Sequence, residues 1–145
     1  MKYLILVSHG GLAEGLKVTL SMFAGDKIDQ VIAAGLAPDQ SVDAFADSFK
    51  QAISVLGPED SVVVLADIVG GSPLTTALNV LDEQGKLEGT VVLGGMNLPM
   101  ALTTVVMKDA LEGDALVEAV LAEAGSALQE FKVSASVDED DDDDI

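Results

Sequence analysis

The chain has 145 residues, 49% of them apolar, with no cysteine and a single histidine, His9. That length suits one globular domain with a real core, and the missing cysteine removes disulfides, thiolate chemistry and the usual Cys/His zinc sites. A formal charge of −18, from 25 acidic residues against seven lysines and no arginine, argues against a nucleic-acid or anionic-membrane surface and favours a basic protein partner.

Taken in order, the chain alternates short β-rich runs with longer helical patterns. Tyr3–Val7 is apolar throughout and predicts a strand, which runs into the turn Ser8-His9-Gly10-Gly11. Leu12, Leu16, Leu20 and Phe23 share one helical face, and Gly25 stands where that helix should stop. Gln30–Ala34 predicts a second strand. Ser41 is placed to cap a helix whose face carries Val42, Phe45, Phe49, Ile53 and Leu56, ended by Gly57-Pro58. Ser61–Ala66 reads as a third, wholly apolar strand. After it come Asp67, the turn Gly70-Gly71, Ser72 as an expected cap, and a helix over Pro73–Leu81. A strand over Thr90–Leu93, helices over Pro99–Leu111 and Asp114–Ala124, and a short antiparallel strand near Leu128–Val133 complete the pattern.

The stretch Gly89–Met107 lacks charge, but Gly94-Gly95, Asn97 and Pro99 divide it into strand, turn and helix rather than one membrane span. Neither this stretch nor Tyr3–Val7 reads as a targeting or membrane segment, which suits a cytoplasmic protein. Residues 1–133 read as one domain. Residues 134–145, with the acidic run Asp138–Asp144, read as a disordered, solvated tail.

Successive β-α units of this kind predict an α/β fold: an open, doubly wound, mainly parallel sheet in the order 2-1-3-4, with helices on both faces. In that order the first and third strands are neighbours about 4.8 Å apart, and the chain reverses direction between them. His9 follows the first and Asp67 the third, so both should hang over one crevice within hydrogen-bond reach. A carboxylate on one imidazole nitrogen fixes the tautomer and leaves the other nitrogen free to attack. Ser8 and Ser72 are hydroxyl nucleophile candidates, but neither lies in a nucleophile-elbow sequence. The turns Gly10-Gly11 and Gly70-Gly71-Ser72, each opening a helix, offer backbone N–H groups to an anion, phosphate above all. Together these features suggest a phosphohistidine. Taken singly, each also fits a bland role: His9 as a turn residue, Asp67 as a helix cap, the glycines as turn formers. No Walker loop or dinucleotide fingerprint is present, and nothing in the residues suggests a metal or cofactor.

At these residues the sequence resembles enzyme IIA of the mannose family of the bacterial sugar phosphotransferase system. Four segments carry the likeness: "ILVSHGGLAEGL", "VVLADIVGGSP", "VVLGGMNLPM" and the charged helical C-terminus. The resemblance implies a cytoplasmic phosphoryl carrier. His9 would take phosphate from the carrier HPr at Nε2 and pass it to a IIB component serving the membrane components IIC and IID. It implies that Asp67 holds the other nitrogen, that Ser72 lies beside the phosphate with Gly70-Gly71 shaping the site, and that a homodimer forms by exchange of the final strand. It assigns no chemical step to Asn97–Met100. The sequence departs from the family at Thr75, where Asn is common, and in the acidic tail. Two other readings share some of these residues: the phosphoryl-carrier subunit of a dihydroxyacetone kinase, and a module that binds a small anion without turnover.

Overall fold

A computed structural model of the chain describes residues 1–134, so the acidic run Asp138–Asp144 lies outside the described residues. Four parallel strands form one sheet in the order β2-β1-β3-β4: β1 Lys2–His9, β2 Val31–Leu36, β3 Ser61–Ala66 and β4 Val91–Leu93. Five helices connect and cover them: α1 Leu12–Leu20, α2 Val42–Ala52, α3 Ser72–Glu83, α4 Leu98–Met107 and α5 Gly113–Ser126.

Side chains alternate across a strand, so the sheet has two apolar faces. Leu4 and Leu6 of β1 and Val63 and Leu65 of β3 pack with Leu16, Ala101, Val105, Leu116 and Val120 of α1, α4 and α5. On the other face Ile5, Val7, Val62 and Val64 meet Phe45 and Phe49 of α2 and Ala77, Val80 and Leu81 of α3. The near-continuous apolar sequence of β1 and β3 thus reflects two central strands covered on both sides.

The elements differ from the sequence reading mainly at their ends. Strand β1 extends two residues further, so His9 closes the strand, in register with Leu36 of β2. Helix α1 stops at Leu20, and tight turns carry the chain through Phe23 to Gly25. There Gly25–Gln30 forms a 3-10 helix that helical periodicity did not signal. Ser41 caps α2 as expected, its hydroxyl accepting the Ala44 N–H at 3.0 Å. Ser72 does not cap α3: Gly71 is the cap residue, Ser72 the first helical residue and Pro73 the second. Asn97 caps α4 through the Met100 N–H at 2.8 Å. That helix ends at Met107 rather than Leu111.

The antiparallel strand expected near Leu128–Val133 is not formed. Residues 128–134 follow α5 without strand pairing, and Leu128, Phe131 and Val133 are largely exposed. A strand needs a ladder partner, and none of the four described strands accepts this segment within the chain.

Phe49 is fully buried on the α2 face and stacks near Phe45, with ring centroids 6.2 Å apart. Phe49→Ala is expected to lower unfolding stability by about 3–5 kcal/mol in chemical denaturation, the usual effect of emptying an aromatic site in a close-packed core.

Candidate functional site

Parallel pairing gathers the carboxyl ends of all four strands along one edge. The central pair, β1 and β3, sets the site there. The Asp67 N–H donates to the Val7 carbonyl at 3.2 Å, which extends the ladder one residue past β3. Its carboxylate then takes over. Asp67 Oδ2 accepts both the backbone N–H of His9 and ring Nδ1, each at 2.9 Å, while Oδ1 accepts the Ile68 N–H at 2.8 Å. The juxtaposition expected from strand order is therefore present.

Burial alone would raise the Asp67 carboxyl. The hydrogen bonds from the His9 N–H, the His9 ring and the Ile68 N–H outweigh it and hold the group below its ordinary range. An ionised carboxylate only accepts, so Nδ1 must carry the proton and the neutral ring must leave Nε2 with its lone pair. The imidazole is 46% exposed and the carboxylate 13%: the acid is tucked under the ring and the ring opens outward.

Gly71 closes the Nε2 side. A Cβ placed there would lie 2.8 Å from His9 Cε1 and 3.4 Å from Nε2, so the bare backbone sits against the ring. As the cap of α3, Gly71 brings that helix's N-terminus to the imidazole. No side chain caps the helix, and the first N–H groups of an α-helix have no intrahelical acceptor. Ser72 and Thr75 are exposed on the opening turn of α3, and the Thr75 N–H closes onto the Gly71 carbonyl. Gly70 precedes them with φ +91°.

The first turn is less open to an anion than its sequence suggests. Gly10, at φ +57°, adopts a left-handed conformation that disfavours other residues, and its N–H donates to the Leu36 carbonyl at 2.7 Å. The Ala13 N–H of α1 is taken by Ser8 Oγ. Gly11 is exposed as the cap residue of α1. Ser8 is itself fully buried, which removes it as an exposed nucleophile. Of the two expected anion turns, the first therefore has its Gly10 and Ala13 N–H groups already engaged.

Two contributions escaped the sequence reading. The Met96 N–H donates to the Ala66 carbonyl at 2.9 Å, and Gly94 leaves room for Val69, whose Cγ2 would lie 2.2 Å from a Cβ at that position. The loop before α4 is thereby packed against the Asp67–Gly71 loop. Asn97 followed two residues later by Pro99 was a legible cap signal. The contact between Gly94 and Val69 left no local trace.

The doubly wound sheet thus carries an acid-gripped histidine at its switch point. The sequence matches the EIIA-man family, described as the PTS system fructose IIA component, over residues 3–121. The chain therefore belongs to the mannose-type enzyme IIA family of the phosphotransferase system. Among curated relatives it is 26% identical over 106 residues to the mannose-specific EIIAB component of Escherichia coli strain K12, covering 73% of this chain and 32% of that one. It is 25% identical over 107 residues to the fructose-specific EIIA component of Bacillus subtilis, covering 74% of this chain and 70% of that one. The chain thus spans about a third of the length of the Escherichia coli relative. Among solved structures, the mannose/sorbose-specific IIA subunit from Enterococcus faecalis superposes with a TM-score of 0.74 at 25% identity, covering 92% of this chain and 98% of that one. The IIA protein associated with the fucose utilization operon of Streptococcus pneumoniae gives 0.71 at 27% identity, with 89% and 92% covered.

Because Asp67 binds protons less readily folded than unfolded, its contribution to stability is present above its ordinary value of 3.8 and lost as pH falls through the lower folded value. Denaturant unfolding of wild type and Asp67→Asn between about pH 6 and about pH 2 should show a flatter acid limb in the variant.

Proposed function

We propose that His9 is a phosphoryl carrier that takes its group from phospho-HPr and passes it to a IIB component. The observation that carries this reading is the hydrogen bond from His9 Nδ1 to Asp67. It directs Nε2 toward the uncapped N-terminus of α3. The Nε2 lone pair attacks the donor's phosphorus, the new P–N bond forms, and the bond to the donor imidazole breaks. Nδ1 keeps its proton throughout. With the donor's other ring nitrogen protonated, the donor leaves as neutral imidazole, and the positive charge passes to the His9 ring, where the Asp67 carboxylate stabilises it. The phosphoryl oxygens face the backbone N–H groups at Gly71-Ser72, with the Ser72 hydroxyl beside them. A phosphoramidate already has high transfer potential, so positioning and charge stabilisation suffice, without metal or cofactor.

Docking follows the same surface. Leu12, Ile68 and Val69 beside the site are more than half exposed, and the chain is strongly acidic. An apolar patch on an acidic body fits a donor with a basic rim, in a fast and salt-sensitive encounter. The carrier would act in the cytoplasm, serving IIC and IID through IIB. No helix among the described residues is long and apolar enough to cross a membrane. A homodimer in which the segment around Phe131 pairs with a second copy would give its exposed apolar side chains a partner.

Incubation with phosphoenolpyruvate, enzyme I and HPr should add one phosphate per chain, labile in acid and stable in alkali. His9→Ala should take up none. Gly71→Ala should be slowed at least ~10-fold, since small displacements of a reacting atom can cost ~100-fold. Equal labelling of His9→Ala would sink the reading.

A further inference from the structure

Ser8 is a buried hydroxyl that the transfer chemistry does not use. It is fully buried at the end of β1, one residue before His9, and its Oγ accepts the Ala13 N–H at 2.8 Å. Ala13 is the second helical residue of α1, whose cap residue Gly11 has no side chain to offer. Ser8 therefore caps α1 from inside the preceding strand. The bond closes a ring of backbone around His9, Gly10, Gly11 and Leu12.

The same turn is held from its other side. The Gly10 N–H donates to the Leu36 carbonyl of β2 at 2.7 Å. The Gly10 carbonyl lies 2.1 Å from where a Cβ on Gly35 would stand, and Ser8 Oγ lies 3.7 Å from that point. Gly35 is the register partner of Ser8. The backbone carrying His9 is thus fixed at three points: Asp67 at the His9 N–H, Leu36 at Gly10, and Ser8 at the start of α1.

We propose that the Ser8 hydroxyl is a positioning residue for His9: by holding the start of α1 to the end of β1, it keeps the imidazole between Asp67 and Gly71. The inference rests on the phosphoryl-carrier reading. Without the hydroxyl, the Ala13 N–H is left inside the fold with no acceptor, and the turn must shift to reach water. Such a shift turns Nε2 away from the line of attack while leaving Ile68 and Val69 of the docking surface, which lie on another loop, in place. The loss should fall on the transfer step and not on donor binding.

The test uses the full chain with phospho-HPr as donor. Ser8→Val matches the shape of Ser8→Thr but lacks the hydroxyl, and Ser8→Ala is a smaller truncation in case the valine perturbs folding. Single-turnover transfer in Ser8→Ala and Ser8→Val is expected to fall about 10-fold with the donor half-saturation concentration unchanged. Ser8→Thr, which keeps the acceptor oxygen, should transfer within about twofold of wild type. Helix content by circular dichroism should match wild type in the variants compared. A folded Ser8→Ala that transfers at the wild-type rate overturns the inference alone, as does a Ser8→Thr no faster than Ser8→Val. An unlabelled wild type with active donors overturns both the inference and the carrier reading beneath it.

Discussion

The site depends on one oxygen atom. Asp67 Oδ2 takes the backbone N–H and the ring Nδ1 of His9 together, so a single carboxylate fixes where the residue sits and how its ring is turned. This is possible only because β1 and β3 are adjacent and parallel, with Val7 opposite Ala66, so the next residues of both strands emerge over the same crevice. The pairing of these two strands is in turn enforced by the apolar layers on both sheet faces. Core packing, strand order and imidazole tautomer form one causal line.

Charge is distributed along the strand axis in a way that supports the same chemistry. Lys17 and Lys50 stand in the last turns of α1 and α2, Lys108 caps the end of α4, Lys86 follows α3, Lys27 precedes β2 and Lys2 opens β1. Cations belong where helices expose their last carbonyls. Lys86 instead ties down the loop before β3, donating to the Gly57 and Asp60 carbonyls at 2.6 Å each. Lys108 is fully buried and bonded to Gln30 and Asp109; burial lowers its proton affinity against the opposing pull of Asp109. None of these six lysines lies on the His9 edge, and the chain has no arginine. An anion on His9 would meet backbone dipoles rather than a fixed cation of those elements. On the carrier reading proposed above, such a setting would hold a phosphoryl group without trapping it and leave a basic donor to supply further charge neutralisation.

Much of this was legible in the sequence because the fold speaks through long apolar runs. Tyr3–Val7 and Ser61–Ala66 have no polar interruption, which marks central parallel strands and, through them, the crevice where His9 and Asp67 meet. Glycine and proline punctuation placed the turns. What escaped was non-local. Nothing in the string Gly94-Gly95 announces Val69 as its neighbour, and nothing around Ser8 says that its hydroxyl turns inward to Ala13 rather than outward to a substrate. The cap of α3 was misplaced by one residue because Gly71 and Ser72 are both acceptable caps; close approach of the Gly71 backbone to His9 accompanies the observed choice. The final strand failed for a different reason: its apolar residues read as a strand, but none of the four described strands accepts the segment as a ladder partner.

The central claim is that Asp67 keeps the proton on Nδ1 and leaves Nε2 as the nucleophile. Nitrogen-15 NMR of the sole histidine reads this directly at a pH where the ring is neutral. The expected spectrum shows a protonated Nδ1 and a bare, pyridine-like Nε2, with the phosphorus bonded at Nε2 after donor treatment. A neutral ring protonated at Nε2, or phosphate bonded at Nδ1, would contradict the account.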